Sequence, residues 1–374
     1  MKICNAYYPN GLKHTYTNPE GITYTYYYNK NNQLTAVHIP GQGQLTWSDF
    51  QWLMPQTLLL PGGTKITLSY NDFLQVEERI LKDPANNNVA SALYEYDREH
   101  NINRITSEQG AYSFGYDNLY RLTQADYPLD TAANDESFAY DGVGNRIGHT
   151  LVENTGTSPV DEESNGEGGE GENPPANSLT TTLGYNNQNQ LTEATEGSTT
   201  ATYTYSANGH TATKTENGQT TEYVYSHDER LIAVKVNNQV VGEYSYNPYG
   251  MRIKKTTYAN GTPTTTWYLY NDKGLAAEYD NSGNLLREYH FHPQKTWMTD
   301  PLFQRTADNQ VYYYQNDHLG APQRLIKSNG ATVWRASTRT AASRTTCGSR
   351  GNITIKKPDC IRITSGITIR ELPT

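Results

Sequence analysis

The 374-residue chain carries 30 Lys and Arg against 39 Asp and Glu, a formal net charge of −9, so it lacks the basic footprint that a nucleic-acid partner demands. Its most apolar run, 52–60, is interrupted by Pro55 and closed by Pro61, far short of the roughly 20 residues that span a bilayer as a helix. Tyrosine occurs 31 times against 6 Phe and 5 Trp, an amphipathic aromatic content that suits stacked hairpins with wet faces better than a dry core.

The N-terminus, Met1-Lys2-Ile3-Cys4-Asn5-Ala6, has no apolar stretch after its single basic residue, so no signal peptide is visible. Cys4, Cys347 and Cys360 make neither a disulfide framework nor a zinc pattern. The first segment, 7–36, opens inside a repeat: Tyr24-Thr25-Tyr26-Tyr27-Tyr28 leads into Asn29-Lys30-Asn31-Asn32-Gln33-Leu34. Repeat arrays need atypical terminal units, and none precedes this one, so the expectation is an N-terminally truncated array. Over 41–81 the repeat weakens, and Trp47, Phe50, Trp52 and Leu58-Leu59-Leu60 predict more tightly packed strands around a Pro61-Gly62-Gly63 turn.

Clear copies follow at Tyr96-Asp97, at Tyr116-Asp117-Asn118-Leu119-Tyr120-Arg121-Leu122 and at Tyr140-Asp141-Gly142-Val143-Gly144-Asn145-Arg146. Residues 153–178 break the register with an acidic, glycine-rich, aromatic-free tract that cannot bury enough surface to order itself, which predicts a disordered insertion at a hairpin tip. Its spacing fits no calcium-loop motif. Over 185–252 the template is stated four times, beginning at Tyr185, Tyr205, Tyr225 and Tyr246, about 20 residues apart. Each copy is a tyrosine-ended strand, a polar turn such as Asn208-Gly209, and a β-branched return such as Leu231-Ile232-Ala233-Val234, the pattern of a β-hairpin. Alternation in Tyr203-Thr204-Tyr205 and Tyr223-Val224-Tyr225 sets the rings on one face of the strand.

Tyr268 to Leu275 and Tyr279 to Leu285 continue the array. His290 and His292 flank Phe291; on a strand both imidazoles face one way, but the sequence supplies no third or fourth ligand, and the structural reading of the pair is preferred to a metal site. No nucleophile elbow, phosphate loop or zincin helix is present, so no catalytic, cofactor-binding or metal-binding residue is assigned.

The stretch Tyr312-Tyr313-Tyr314-Gln315-Asn316-Asp317-His318-Leu319-Gly320-Ala321-Pro322-Gln323-Arg324-Leu325, followed by Gly330 and Val333-Trp334-Arg335-Ala336, resembles the core signature of the Rhs family. Tyr314, Asp317, His318, Leu319, Gly320, Pro322, Trp334 and Arg335 are the residues that carry it, in a structural role. With the YD repeats upstream, the resemblance covers about residues 7–336. It implies an all-β fold of stacked hairpins forming part of a spiralling hollow shell, similar to toxin-complex C subunits and teneurins. Bacterial members, secreted or at the cell surface, enclose a variable C-terminal toxin and free it by aspartyl self-cleavage at the end of the core.

Residues 337–374 depart from that pattern: they contain no aromatic residue and seven basic residues against two acidic. Codons permitted by the tail, read one base back, spell a phenylalanine-proline-glycine-glutamine-tyrosine-tyrosine-aspartate run and a glutamate-threonine-glycine-leucine turn, which resemble the family's continuation. The expectation is an out-of-frame, disordered tail, with the self-cleavage segment and toxin missing; a basic linker is the alternative.

The sequence therefore divides into repeats at 1–152, the insertion at 153–178, repeats ending in the core motif at 179–336, and the tail at 337–374. Two functions remain open, a fragment of a toxin shell whose partner is the enclosed toxin polypeptide, and a YD-repeat module that binds glycans or a target-cell surface. If the tail is a frame artefact, resequencing the gene from codon 330 onward restores a tyrosine-rich frame with a one-base change. A confirmed frame with nothing similar in the alternative one overturns the frameshift.

Overall fold

Turn chemistry decides this fold one hairpin at a time. The computed structural model describes residues 2–128, 135–152 and 178–336, together with two short strands, Cys360–Arg362 and Thr368–Arg370, that pair only with each other. At 206–210 the Ser206 amide donates to the His210 carbonyl at 2.8 Å, and the Gly209 amide donates to the Ser206 carbonyl at 3.0 Å. Gly209 sits at φ 82° and a bulge falls at Thr204/Tyr205. This is a three-residue loop with a left-handed residue and a G1 bulge. The left-handed position holds even where glycine is absent, at Leu74, His100, Tyr120 and Glu229, with φ between 60° and 68°.

Two side chains per repeat secure that loop. The residue after the tyrosine caps it: at Asp141, Oδ1 accepts from the Val143 and Asn145 amides at 3.0 and 2.8 Å, and Oδ2 accepts from Asn145 Nδ2 at 2.9 Å. Asp97, Asp117, Asp280 and Asp317 repeat the double amide cap, and Asn186 makes it with its amide oxygen. The tyrosine itself reaches back to the preceding hairpin. Tyr96, Tyr116, Tyr140, Tyr205 and Tyr246 donate their hydroxyls to the carbonyls of Val76, Ile102, Leu122, Leu191 and Leu231, at 2.7 to 2.8 Å. Each acceptor opens the return strand of the previous copy, so one hydroxyl staples consecutive hairpins.

Through the centre of the chain the other rim turns differently. Asn217-Gly218, Asn237-Asn238 and Asn260-Gly261 have positive φ at both residues, the two-residue type I′ turn whose twist matches the strands. Two strands of six to eight residues, one capped loop and one tight turn add up to about 20 residues, which is the period read from the tyrosines.

Joined this way, 29 strands from β1 (Cys4–Tyr7) to β29 (Thr332–Arg335) form one antiparallel sheet in which each strand pairs with its neighbours in sequence. No helix occurs among the described residues. Val152 pairs with Ser178, so the expected insertion at 153–178 loses its last residue to a strand; residues 153–177, on which the expectation of disorder falls, lie outside those described. The tail's remaining residues, 337–359, 363–367 and 371–374, lie outside them too.

The middle of the sheet is a wall one layer thick. On one face a row of cross-strand neighbours, including Leu151, Ala194, Ala201 and Val234, is buried. The other face carries threonines that hydrogen-bond across strands, as in Thr204–Thr213 at 2.6 Å and Thr195–Thr200 at 3.0 Å.

The two ends of the sheet lie against each other. Lys13 meets Asp272, Glu20 meets Tyr279, Asn32 meets Gln294, Arg79 meets Gln315 and Glu108 meets Arg324. As the first partner advances from 13 to 108, the second advances from 272 to 324. A strip folded back on itself reverses that order, whereas a strip that spirals keeps it. The sheet therefore comes round once and overlaps its own beginning, and the hydrophobic core is in that overlap, where Tyr16, Tyr24, Val37, Leu45 and Leu81 pack with Phe303, Tyr313 and Ile326.

Removing the staple hydroxyl in Tyr205→Phe is expected to cost about 1 kcal/mol. Tyr249→Phe, at a tyrosine 87% exposed, serves as the control and should cost nothing measurable. Equal shifts of the two variants in chemical denaturation would refute the staple.

Candidate functional site

The overlap brings together residues that the sequence scatters. Glu288, on β25 (Leu285–Phe291), is 1% exposed and lies against the hairpin formed by β2 (Lys13–Thr17) and β3 (Thr23–Tyr28). Its Oε2 accepts from Arg305 Nε at 2.8 Å, from Tyr24 Oη at 3.1 Å and from Asn18 Nδ2 at 3.1 Å, while His290 Nε2 lies 2.9 Å from Oε1. Burial pushes this carboxyl up, but His290 and Arg305 more than offset it and hold the pKa at about 2. Glu20 joins the knot, accepting from Tyr279 Oη at 2.9 Å and lying 3.6 Å from Arg305 Nη2.

A second ionic contact closes the end of the overlap. Glu108, in the turn between β10 (Ile102–Ser107) and β11 (Gly110–Tyr116), takes both Arg324 and Arg335, the latter at 2.9 Å, and accepts the Ser91 amide at 3.0 Å. Burial opposes ionisation of Glu108, yet the Ser91 amide and Arg324 keep its pKa below the ordinary value.

The core-motif residues line this seam. Tyr314, on β27 (Val311–Asn316), is buried and donates to Gln304 Oε1 at 2.6 Å. It packs with Leu325 and Trp334 in a cluster of its own, separate from the main core. Asp317 caps its turn and accepts Gln323 Nε2 at 2.9 Å. His318 packs edge-on against Tyr94, on β9 (Asn88–Tyr96), with centroids 5.5 Å apart, and burial lowers its pKa. Gly320 has φ 78°, and a Cβ there meets the Asp300 amide nitrogen at 3.1 Å, so both conformation and space call for glycine. Pro322 is buried at the start of β28 (Pro322–Ile326), Leu319 is 76% exposed at the tip, and Arg335 reaches Glu108.

His290 and His292 do not act as a pair. His290 is inside the core, stacked on Phe303 at 4.2 Å, whereas His292 has left the strand, opens the following turn and packs against Trp47. The expectation that both imidazoles face one way fails because β25 ends at Phe291. Among the described residues no group of three or more His, Cys, Asp or Glu side chains converges as a metal site. Glu108, Glu288 and Arg79 carried no local signal for the seam, since the partners that cross it are far away in sequence: Arg324 is 216 residues from Glu108, Gln315 236 from Arg79 and Tyr24 264 from Glu288.

A one-layer β-wall spiralling past a full turn is the architecture of a shell. The RHS protein family model matches residues 311–340, of which the described residues 311–336 lie along the seam. Three solved structures share the fold over 90% of this chain. They are TcdB2-TccC3 without its hypervariable C-terminal region (TM-score 0.59, 13% identity), a Photorhabdus luminescens Tc holotoxin pore with a substituted TccC3 (0.56, 14%), and TcdB2-TccC3-Cdc42 (0.54, 13%). The chain spans only 17–18% of their length. No curated protein matches the sequence. The repeats, the spiral sheet and the matched segment together support an Rhs/YD-repeat protein.

Glu288 is ionised in the fold down to about pH 2, so its contribution to stability is complete above its ordinary value of 4.5 and is lost as pH falls from there toward 2. Glu288→Gln takes away the nearer carboxylate of Arg305, leaving Glu20 at 3.6 Å, and is expected to cost about 3 kcal/mol at pH 7 and to flatten that acid limb. Thermal unfolding from pH 7 to 2 checks both, and an unchanged acid limb overturns the assignment.

Proposed function

We propose that the chain is a wall segment of an Rhs-type toxin shell, which in the whole shell encloses a polypeptide toxin and which alone is inert. The observation that carries this reading is the same-order overlap: the sheet curls with one sense of rotation, so further repeats lengthen the spiral without changing its plan. The polar groups of the seam support it as well. Glu288, Arg305, Glu108 and Asp317 are each engaged by neighbours that hold the layers or the turns together, an arrangement that ties a wall. In this reading Tyr314, Asp317, His318, Leu319, Gly320, Pro322, Trp334 and Arg335 form the closing hairpins of the seam. The solved toxin-complex structures supply the analogy for cargo, which is fold-level analogy.

A second reading, a glycan- or surface-binding module, draws on the exposed rings at the capped rim, where Trp52 is 82% and Tyr249 87% exposed. Such rings suit sugar stacking.

The purified chain decides between them. A wall segment stays a single band on prolonged incubation, gives no selective hit on a glycan array, and scatters with a radius of gyration above the roughly 21 Å of a compact chain of this length. Self-cleavage, a selective glycan hit or compact scattering overturns the shell reading.

A further inference from the structure

The two layers of the overlap do not meet everywhere. Between them, toward the capped rim, lies a cavity of about 570 Å³, within the size range of small-molecule sites. Its walls are apolar on the side of the first strands, with Leu45, Trp47, Phe50 and Leu68 among the lining residues. Leu53, 72% exposed, lines it as well and gives the mouth an apolar lip.

Arg79 and the exposed Lys295 are the arginine and the lysine of the cavity's lining, and Asp300 and Asp317 line it as well. Arg79, on β8 (Val76–Lys82), lines the cavity, and among the described residues its single side-chain partner is Gln315, whose Oε1 accepts Nη2 at 2.5 Å. Gln315 is neutral and fully buried, and its own amide donates to the Tyr314 carbonyl at 2.9 Å. Burial pulls the Arg79 pKa below its ordinary value. Asp300 and Asp317 act on it from a distance, but neither forms an ion pair with it. Asp317 is occupied by the Leu319 and Ala321 amides and by Gln323, and Asp300 Oδ1 accepts from Asn316 Nδ2 at 2.7 Å. The other arginines and the lysine that cross the seam do have carboxylate partners: Arg305 with Glu288, Arg324 and Arg335 with Glu108, Lys13 with Asp272. Charges drawn out of water are paired as a rule, and the half-buried Arg79 lacks a carboxylate partner beside the leucines, Trp47 and Phe50 of this cavity.

We propose that this cavity binds an amphiphilic monocarboxylate, a medium-chain fatty acid in its simplest form, with the carboxylate on Arg79 and the apolar body against Trp47, Phe50 and the leucines. Guanidinium and carboxylate match in a planar, bidentate geometry, and the walls take up a chain whose transfer from water is favourable by about 0.8 kcal/mol per methylene. The site is independent of the shell reading, since it needs only the overlap.

The test is calorimetric titration of the full chain with dodecanoate, dodecanol and dodecyltrimethylammonium, each below its micelle concentration. Dodecanoate should bind one to one, at least about tenfold more tightly than either comparator, as expected for one charge-assisted contact. Arg79→Met should weaken dodecanoate by about tenfold or more and move dodecanol by less than about threefold. Absence of saturable dodecanoate binding, or equal affinity for the three amphiphiles, overturns the proposal on the unmodified protein, whether or not the variant folds. An unchanged dodecanoate affinity in a folded Arg79→Met overturns the anchor.

Discussion

The array depends on an Asp or Asn side chain that bonds two backbone amides in the turn closing a tyrosine-bearing strand. A three-residue loop with a left-handed residue leaves amides pointing into the bend, and an Asp or Asn side chain at its first position satisfies them at 2.8 to 3.0 Å in Asp97, Asp141, Asp280 and Asp317. The cap fixes the register of its hairpin by placing the bulge, and a fixed register decides which face each side chain takes. The tyrosine before the cap is thereby held in position to reach the previous hairpin. Local turn chemistry thus becomes long-range order, copied from hairpin to hairpin along the array.

The same economy creates the structural difficulty. A meander held only by nearest neighbours is a strip, and a strip one layer thick buries little on either face. Right-handed twist and repeated bulges curl it. Curling brings its beginning under its end, and there a two-layer core with fully buried Tyr24, Phe303 and Tyr313 becomes available. The overlap also buries charge, and the Glu288–Arg305 knot is costly unless complete. Its value is in alignment: Glu288 has partners on both layers, so a slipped overlap leaves a carboxylate stranded.

What the sequence revealed and what it hid follow from this division. The hairpins were legible, since Tyr205, Ser206 and Gly209 act on neighbours within a few residues and recur at a fixed period. The tighter packing of 41–81 was legible in part: Leu45, Trp47, Leu60 and Ile66 are in the main core, whereas Trp52, in the turn after β5 (Gly43–Gln51), and Leu59 are exposed. The role of the cap was only half legible: Asp after Tyr was visible as a pattern, but the tyrosine hydroxyl's acceptor is on another hairpin. The seam was hidden altogether. Glu108 sits in a turn that reads as ordinary Ser-Glu-Gln-Gly, and nothing near it announces Arg324 or Arg335, 216 and 227 residues away. His292 misled for a related reason, because the end of β25 is set by the contacts of the turn that follows it.

The 311–340 segment makes the distinction plain. Asp317 caps its loop as Asp141 does, and Gly320 takes the left-handed position as Gly144 does. In those respects the segment is one more repeat, and its capping residues alone would not set it apart. What differs is the far side of the hairpin. Tyr314, Leu325 and Trp334 bury one another in a cluster that the other hairpins lack, and Arg324 and Arg335 turn to a carboxylate on the first lap of the spiral. A repeat needs only to match its neighbours, so its sequence drifts within the limits of a turn and a staple. A repeat that must also dock on a wall more than 200 residues earlier is constrained on both faces. That double constraint is a physical reason for a recognisable signature to fall at the seam.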